Sequence, residues 1–177
     1  MGTIAAVIVI AFLALWAVSC RRRLTVMEEN VSSAMAQVGV QISSRFDALI
    51  ALLELTRRYS AQESQALIET IHSRRTILTA ASTPEEALGQ EKLIAEALDR
   101  ITAMARRYPE LKASGEYISG LSAVDGCEKL VCTSRLIYND SVTKLNRELR
   151  TFPASLLAGA LGLRQRGHLE AAEDRAD

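Results

Sequence analysis

The stretch E-K-L-V-C-T-S-R-L-I-Y-N-D-S-V-T-K-L-N, residues 128–146, places charged and amide side chains within the apolar face of a helix. At about 100° per residue, four polar side chains fall within about 20° of one line: Glu128, Arg135, Asn139 and Asn146. Apolar residues lie within about 40° of the same line: Tyr117, Leu121, Val124 and Val142. We call this mixed stripe the polar seam. Such a stripe is expected to face other helices and to find its hydrogen-bond partners there.

Two interpretations of the polar seam stay open. In the functional one, the seam is a buried network that binds a ligand or acts as a switch. In the structural one, it fixes the alignment of helices: Arg135 pairs with a carboxylate on a neighbouring helix, with Asp47 as the candidate, and the asparagines cap main-chain groups. The structural interpretation is preferred, because Leu/Ala surfaces in a bundle slide without such a device.

Charge and composition restrict the class of protein. The 177-residue chain has a formal net charge of zero, whereas nucleic-acid binding usually needs a basic surface, so no nucleic acid is expected as a partner. The chain has only three prolines and 5% aromatic residues, which favours long helices over sheets. An all-α protein is predicted.

The N-terminal segment, residues 1–20, has no charged side chain. Since about 20 apolar residues cross the hydrocarbon of a bilayer, we predict an uncleaved single-pass transmembrane helix. Three arginines follow it directly: Arg21, Arg22 and Arg23. This basic flank places the N-terminus outside and the rest of the chain in the cytoplasm. The alternative is a lipoprotein, because Ala17-Val18-Ser19-Cys20 looks like a permissive lipobox with Cys20 as the acyl acceptor.

Helix start and stop signals divide the remaining chain into four helices. The predicted bounds are 24–59, 60–81, 83–108 and 114–150. Short connections make neighbours antiparallel. We therefore expect an antiparallel up-and-down bundle of about four long helices, whose first and last helices form a two-helix stalk, a coiled coil. The predicted regions are the anchor with its basic flank, 1–23, the bundle, 24–151, and an apolar, then charged and solvated tail, 152–177.

The sequence contains no pattern typical of catalysis. Neither His72 nor His168 has a ligand partner at metal spacing, and no glycine-rich phosphate-binding loop is present. We expect no enzymatic activity, no metal and no cofactor. Cys127 and Cys132 point about 140° apart on one helix and are not expected to pair. All three cysteines are predicted to be small buried side chains.

Three blocks of sequence resemble the LemA family. The strongest consists of the polar seam and a following Phe-Pro pair: Glu128, Arg135, Tyr138, Asn139, Val142, Asn146, Phe152 and Pro153. The second, Arg107 to Ala113, contains the turn residues Tyr108 and Pro109. The third, Gln41 to Tyr59, contains Arg45 and Asp47. In the third block the chain departs from the family, with Ile50 and Ala51 in place of a Pro-Asn pair and Ser44 in place of an arginine.

The resemblance implies a bacterial protein with one N-terminal membrane helix and an antiparallel bundle in the cytoplasm. It implies no reaction and no cofactor. We therefore predict a non-catalytic scaffold or interaction module at the cytoplasmic membrane, whose partners are the lipid membrane and a protein, or a second copy of the chain. The alternative is a ligand-sensing or transport-accessory protein that uses the polar seam.

Overall fold

The computed structural model describes residues 2–152 and 154–170, without the side chains of Gly2, Ala5, Ala6 and Val9. Six helices and no strand occur in these ranges, which confirms the all-α class. The helices are α1 (Gly2–Thr56), α2 (Ala61–Arg74), α3 (Pro84–Arg107), α4 (Pro109–Ala113), α5 (Gly115–Arg150) and α6 (Ala154–Ala160). About four long helices were predicted and this is not confirmed, since α1, α3 and α5 have 55, 24 and 36 residues but α2 has only 14.

The α1–α5 pair is the main contact of the fold. α1 is one continuous helix about 80 Å long, so the predicted anchor and first bundle helix are a single element. Three ion pairs show that α5 runs antiparallel to it: Arg23–Glu148, Arg45–Glu128 and Arg58–Glu116. Fully buried apolar side chains of α1, α3 and α5 form the core between them, among them Val38, Ile42, Leu49, Ile94, Ile101, Val124 and Val142.

α3 lies where local signals place it. The side chain of Thr83 accepts a hydrogen bond from the backbone N–H of Glu86, and Glu86 accepts one from the backbone of Thr83, so this capping box fixes the start of the helix. The helix ends before Pro109, as expected. Arg107 pairs with Glu63 at 2.6 Å, while Arg74 pairs with Glu96 at 3.5 Å, and α2 therefore runs antiparallel to α3.

The prediction that the second helix continues to Ala81 is wrong, because α2 ends at Arg74. Residues 75–82 instead cross α1 without helical structure. They pass so close to Gly39 that a Cβ there would lie 2.7 Å from the carbonyl oxygen of Leu78. Gln90 of α3 accepts a hydrogen bond from the backbone of Thr76 at 2.9 Å. The glycine on α1 leaves room for this segment to cross the helix, and the buried amide on α3 binds the segment's main chain.

The C-terminal tail was predicted to be solvated from Arg164. Residues 164–168 and 170 are exposed, but this segment also packs on the helices, which was not predicted. After α6 the chain turns at Gly162, whose φ is +70°, and residues 164–169 then lie along α5. Leu169 is 1% exposed. We call residues 164–169 the strap. Residues 171–177 and Pro153 lie outside the described residues.

The first part of α1 has little cover from the rest of the chain. Between Thr3 and Leu15, every described side chain is exposed. Among the residues that the structure describes, no helix has the length and apolarity needed to cross a membrane. The predicted span, 1–20, includes Met1 and four side chains that lie outside the described residues, and the transmembrane helix stays a prediction.

Candidate functional site

The polar seam separates into two parts that make different kinds of contact. In the first part, Glu128 and Arg135 pair with Arg45 of α1 and Glu91 of α3. We call these four charged side chains, which join three helices, the charge cluster. Arg45 Nη2 donates to Glu128 Oε2 at 2.8 Å, and Arg135 Nη1 donates to Glu91 Oε2 at 3.3 Å. The two pairs therefore tie α5 to α1 and to α3 at positions two helical turns apart, since Glu128 and Arg135 are seven residues apart.

The two ion pairs do not satisfy every buried polar atom of the charge cluster. The side chains of Arg135 and Glu91 are each 17% exposed. Burial raises the pKa of Glu91, the positive charges of Arg135 and Arg45 oppose that rise, and Glu128 adds to it. Three buried atoms of the cluster have no hydrogen-bond partner: Arg45 Nε, Glu91 Oε1 and Arg135 Nε. The cluster aligns three helices and carries an uncompensated desolvation cost.

Asp47, the predicted partner of Arg135, is not part of this cluster. It accepts instead from Arg75 at 2.8 Å, at the start of the crossing segment. The guanidinium of Arg75 also lies 5.3 Å from the centre of the Phe46 ring. Since Arg45 and Asp47 are two residues apart on α1, their side chains point about 160° apart, and only Arg45 faces α5.

The second part of the seam binds the strap through main-chain groups. Asn139 Nδ2 donates to the carbonyl of Leu169 at 3.0 Å, and Asn139 Oδ1 accepts from the N–H of the same residue at 2.8 Å. Asn146 makes the same pair of bonds with Arg166, both at 2.9 Å. Tyr138 Oη donates to the carbonyl of Gly167 at 3.0 Å. We call these three side chains of α5 the amide ladder.

The spacing of the amide ladder matches an extended chain. Asn139 and Asn146 are seven residues apart, or about 10.5 Å along a helix. Arg166 and Leu169 are three residues apart, or about 10 Å along an extended chain. The two spacings coincide, so each amide meets the N–H and the C=O of one strap residue.

Side chains of the strap add further contacts. Arg150 of α5 donates to Gln165 Oε1 at 2.7 Å, and His168 Nε2 lies within hydrogen-bond distance of Thr143 Oγ1, at 3.0 Å. Arg166 forms an ion pair with Glu28 of α1, and Leu169 is buried in the core. Burial raises the pKa of Tyr138, which the charge of Arg166 opposes and that of Glu85 reinforces. The strap therefore touches α1, α5 and the start of α3.

The remaining predicted residues are separate from both parts of the seam. Tyr108 packs its ring 6.0 Å from that of Tyr59, and Phe152 is 76% exposed. The basic flank is exposed, with Arg23 paired to Glu148 at 3.1 Å. The cysteines are free, and their predicted burial is wrong, because Cys132 is exposed and Cys20 and Cys127 are half-buried. In the described part of the chain, no three His, Cys, Asp or Glu side chains are grouped as a metal site requires.

Sequence reasoning missed the partners of the seam. Glu91 lies on the predicted third helix among several other carboxylates, and nothing local singles it out. Arg166 and Leu169 were assigned to a solvated tail. The sequence did contain one signal for them. Three residues of an extended chain span about 10 Å, which equals the distance along a helix between the two asparagines.

Comparison with known proteins identifies the family. The sequence model of the LemA family matches residues 34–177, a range that includes the charge cluster, the amide ladder and the strap. No curated protein matches the sequence. The match covers most of the chain, and the protein therefore belongs to the LemA family.

Proposed function

We propose that this protein is a non-catalytic interaction module that its N-terminal segment anchors in a bacterial cell membrane. The supporting observation is the exposure of apolar side chains on the first part of α1. Each of the following is more than half exposed: Ile4, Val7, Ile8, Ile10, Phe12, Leu13, Leu15 and Val18. A continuous apolar surface of this kind marks contact with a membrane or a protein.

Basic residues support the membrane as the partner of this surface. Arg21 and Arg22 are exposed directly after the apolar segment. Arg147 and Arg150, at the end of α5, are exposed at the same end of the α1–α5 pair. Such a basic collar is suited to anionic lipid headgroups. By the positive-inside rule, the bundle then lies in the cytoplasm.

Membrane extraction tests the anchor. We expect the full chain to stay in the membrane pellet at alkaline pH in carbonate. Ile8→Glu with Phe12→Glu should move it to the supernatant, because two carboxylates in an apolar segment oppose insertion. Ile118→Glu with Leu136→Glu, at exposed apolar positions of α5, is the matched control and should stay in the pellet. A wild-type chain found in the supernatant would contradict the proposal.

The lipoprotein alternative is tested at Cys20. This side chain is half-buried and packs against the core. We expect Cys20→Ser to leave membrane attachment and chain mass unchanged. An acylated, shortened chain that is lost in the variant would establish the alternative, and a C-terminal reporter active only outside the cytoplasm would overturn the proposed topology.

The role as an interaction module rests on what occupies the polar seam. Each of its four polar side chains already bonds to other residues of the chain, which suits a scaffold better than a small-molecule sensor. Crosslinking in intact membranes should give covalent adducts of the bundle with a protein partner or a second copy. If the protein were recovered only as an uncrosslinked monomer, the scaffold role would be abandoned.

A further inference from the structure

The amide ladder recognises its occupant through the main chain. Its five hydrogen bonds all join side chains of α5 to backbone groups of the strap. Such bonds hold any extended peptide, whereas side-chain contacts decide which peptide fits best. We call the surface of α5 that the strap covers the groove. Its bonds to the main chain do not depend on the side chains of the strap.

Two side chains of the strap give the groove its selectivity. Arg166 reaches Glu28, and Leu169 is 1% exposed in the core. The side chains between them, at Gly167 and His168, are exposed. A Cβ at Gly167 would lie 3.6 Å from Pro84, which is ordinary contact, so the groove does not require glycine. At the position of His168, the groove offers only a hydrogen bond between exposed side chains, from His168 Nε2 to Thr143 Oγ1 at 3.0 Å. The groove therefore selects a basic residue and, three residues later, a large aliphatic residue.

The strap leaves part of the groove unused. Glu28 Oε2 is buried and has no hydrogen-bond partner, although Glu28 Oε1 pairs with Arg166. Beside the strap there is a cavity of about 310 Å³, bordered by Thr143, Asn146, Arg147, Arg150, Thr151 and His168. A different occupant can donate to the free carboxylate oxygen and fill the cavity, and can thus bind more tightly than the strap.

We propose that this groove binds an extended segment of a partner protein with the pattern basic-x-x-large aliphatic, and that the strap is the internal occupant which the partner displaces. The inference rests on the proposed role as an interaction module and names the class of partner. The strap has no helix of its own and follows the turn at Gly162, so it can leave the groove without unfolding a helix.

Peptide binding to the full chain in detergent micelles tests the proposal. The probe is a fluorescent peptide with the sequence of residues 163–170, L-R-Q-R-G-H-L-E. In the wild-type protein, the tethered strap competes at a local concentration of about millimolar. We therefore expect at least tenfold tighter binding to Leu169→Asp and to the milder Arg166→Glu, both of which weaken the strap.

Three comparisons assign the binding to the groove. Adding Asn139→Leu and Asn146→Leu to the weakened chain should abolish binding, while adding the control Asn30→Leu, on an exposed face of α1, should not change it. A peptide with Asp at the position of Leu169 should not bind. Binding that survives the loss of both asparagines would overturn the proposal, as would no gain in either weakened chain.

Hydrogen exchange on the wild-type protein gives a result that does not depend on how the variants fold. Excess peptide should make the strap amides of Arg166 and Leu169 exchange at least tenfold faster, because they leave the asparagines. Unchanged exchange would overturn the proposal. A dimer that dissociates on Leu169→Asp would assign the groove to a second copy and also overturn it. None of these results depends on membrane extraction, so failure of the anchor and failure of the groove are separately visible.

Discussion

The charge cluster and the amide ladder lie on the same face of α5, yet they satisfy their polar groups in opposite ways. Arg135 meets a carboxylate of α3, and both partners keep a buried atom without a hydrogen bond. Asn139 and Asn146 use both the donor and the acceptor of their amides on the N–H and C=O of one residue each. The cluster joins helices to one another, whereas the ladder joins a helix to an irregular segment.

The difference shows what each residue type can do on a helix. A guanidinium only donates hydrogen bonds and an ionised carboxylate only accepts them, so each needs a partner of opposite charge on a neighbouring helix. An amide carries a donor and an acceptor side by side and matches the N–H and C=O of an extended residue. The charged part of the seam therefore determines helix alignment, and the amide part determines what can bind beside α5.

The largest expected effect is on the charge cluster. Arg135→Met leaves Glu91 largely buried without its closest partner, and the free energy of unfolding should fall by about 3 kcal/mol. Urea unfolding of the full chain in micelles, followed by circular dichroism at neutral pH, measures this. Adding Glu91→Leu should recover most of the loss, because a buried pair replaced by apolar side chains is often neutral. A double variant as unstable as Arg135→Met would show that the cluster stabilises the fold rather than only aligning it.

A smaller effect is expected on the amide ladder. Asn146→Leu removes two hydrogen bonds to Arg166, but the strap can detach into water, so the loss of stability should be limited to about 1–2 kcal/mol. Exchange of the strap amides should quicken while the amides of α3 stay protected, which hydrogen exchange resolves by segment. Asn30→Leu is the control for the same substitution on an exposed helix face. Equal loss of protection in α3 would show that the ladder belongs to the same cooperative unit as the cluster.

The smallest expected effect is the dependence of the charge cluster on pH. The pKa of Glu91 is raised above 4.5 in the folded chain by burial. As pH rises from below 4.5 to that higher pKa, the folded chain binds more protons than the unfolded chain, and stability falls. The stability of wild type minus that of Glu91→Gln should therefore decrease across this interval and stay constant above it. Unfolding titrations at several pH values measure it, and a difference that increases with pH would contradict the raised pKa.

Local signals predicted the helices that depend on local contacts. The capping box at Thr83 and the proline after Tyr108 bound α3, and Ser114 caps α5 by accepting from the backbone N–H of Tyr117. The end of α2 was missed, because it depends on the approach of Leu78 to Gly39 and on Gln90 from another helix. Contacts between distant segments leave no periodic pattern in either segment.

The sequence predicted the side chains of α5 in the candidate site, but not most of their partners. The periodicity of residues 128–146 identified Arg135, Asn139 and Asn146 as side chains that face inward, because a helix fixes the direction of its own side chains. Glu128, predicted on the same face, is 57% exposed. The periodicity did not identify Glu91, Glu28 or the strap, since their positions follow from the packing of α1, α3 and the tail. Arg166 and Leu169 lie in a charged segment and carry no signal of contact by themselves. Only comparison of their spacing with that of Asn139 and Asn146 indicates that they lie along α5.

The continuity of α1 from Gly2 to Thr56 has a mechanical consequence. Because Glu28 and Arg45 lie on this helix, a tilt or rotation of its N-terminal segment is transmitted to one side of the groove and to the charge cluster. One residue inserted between Arg23 and Leu24 would turn one end against the other by about 100° and lengthen the helix by about 1.5 Å. The orientation of the groove relative to whatever holds residues 1–20 is thus set by the residue count of one helix.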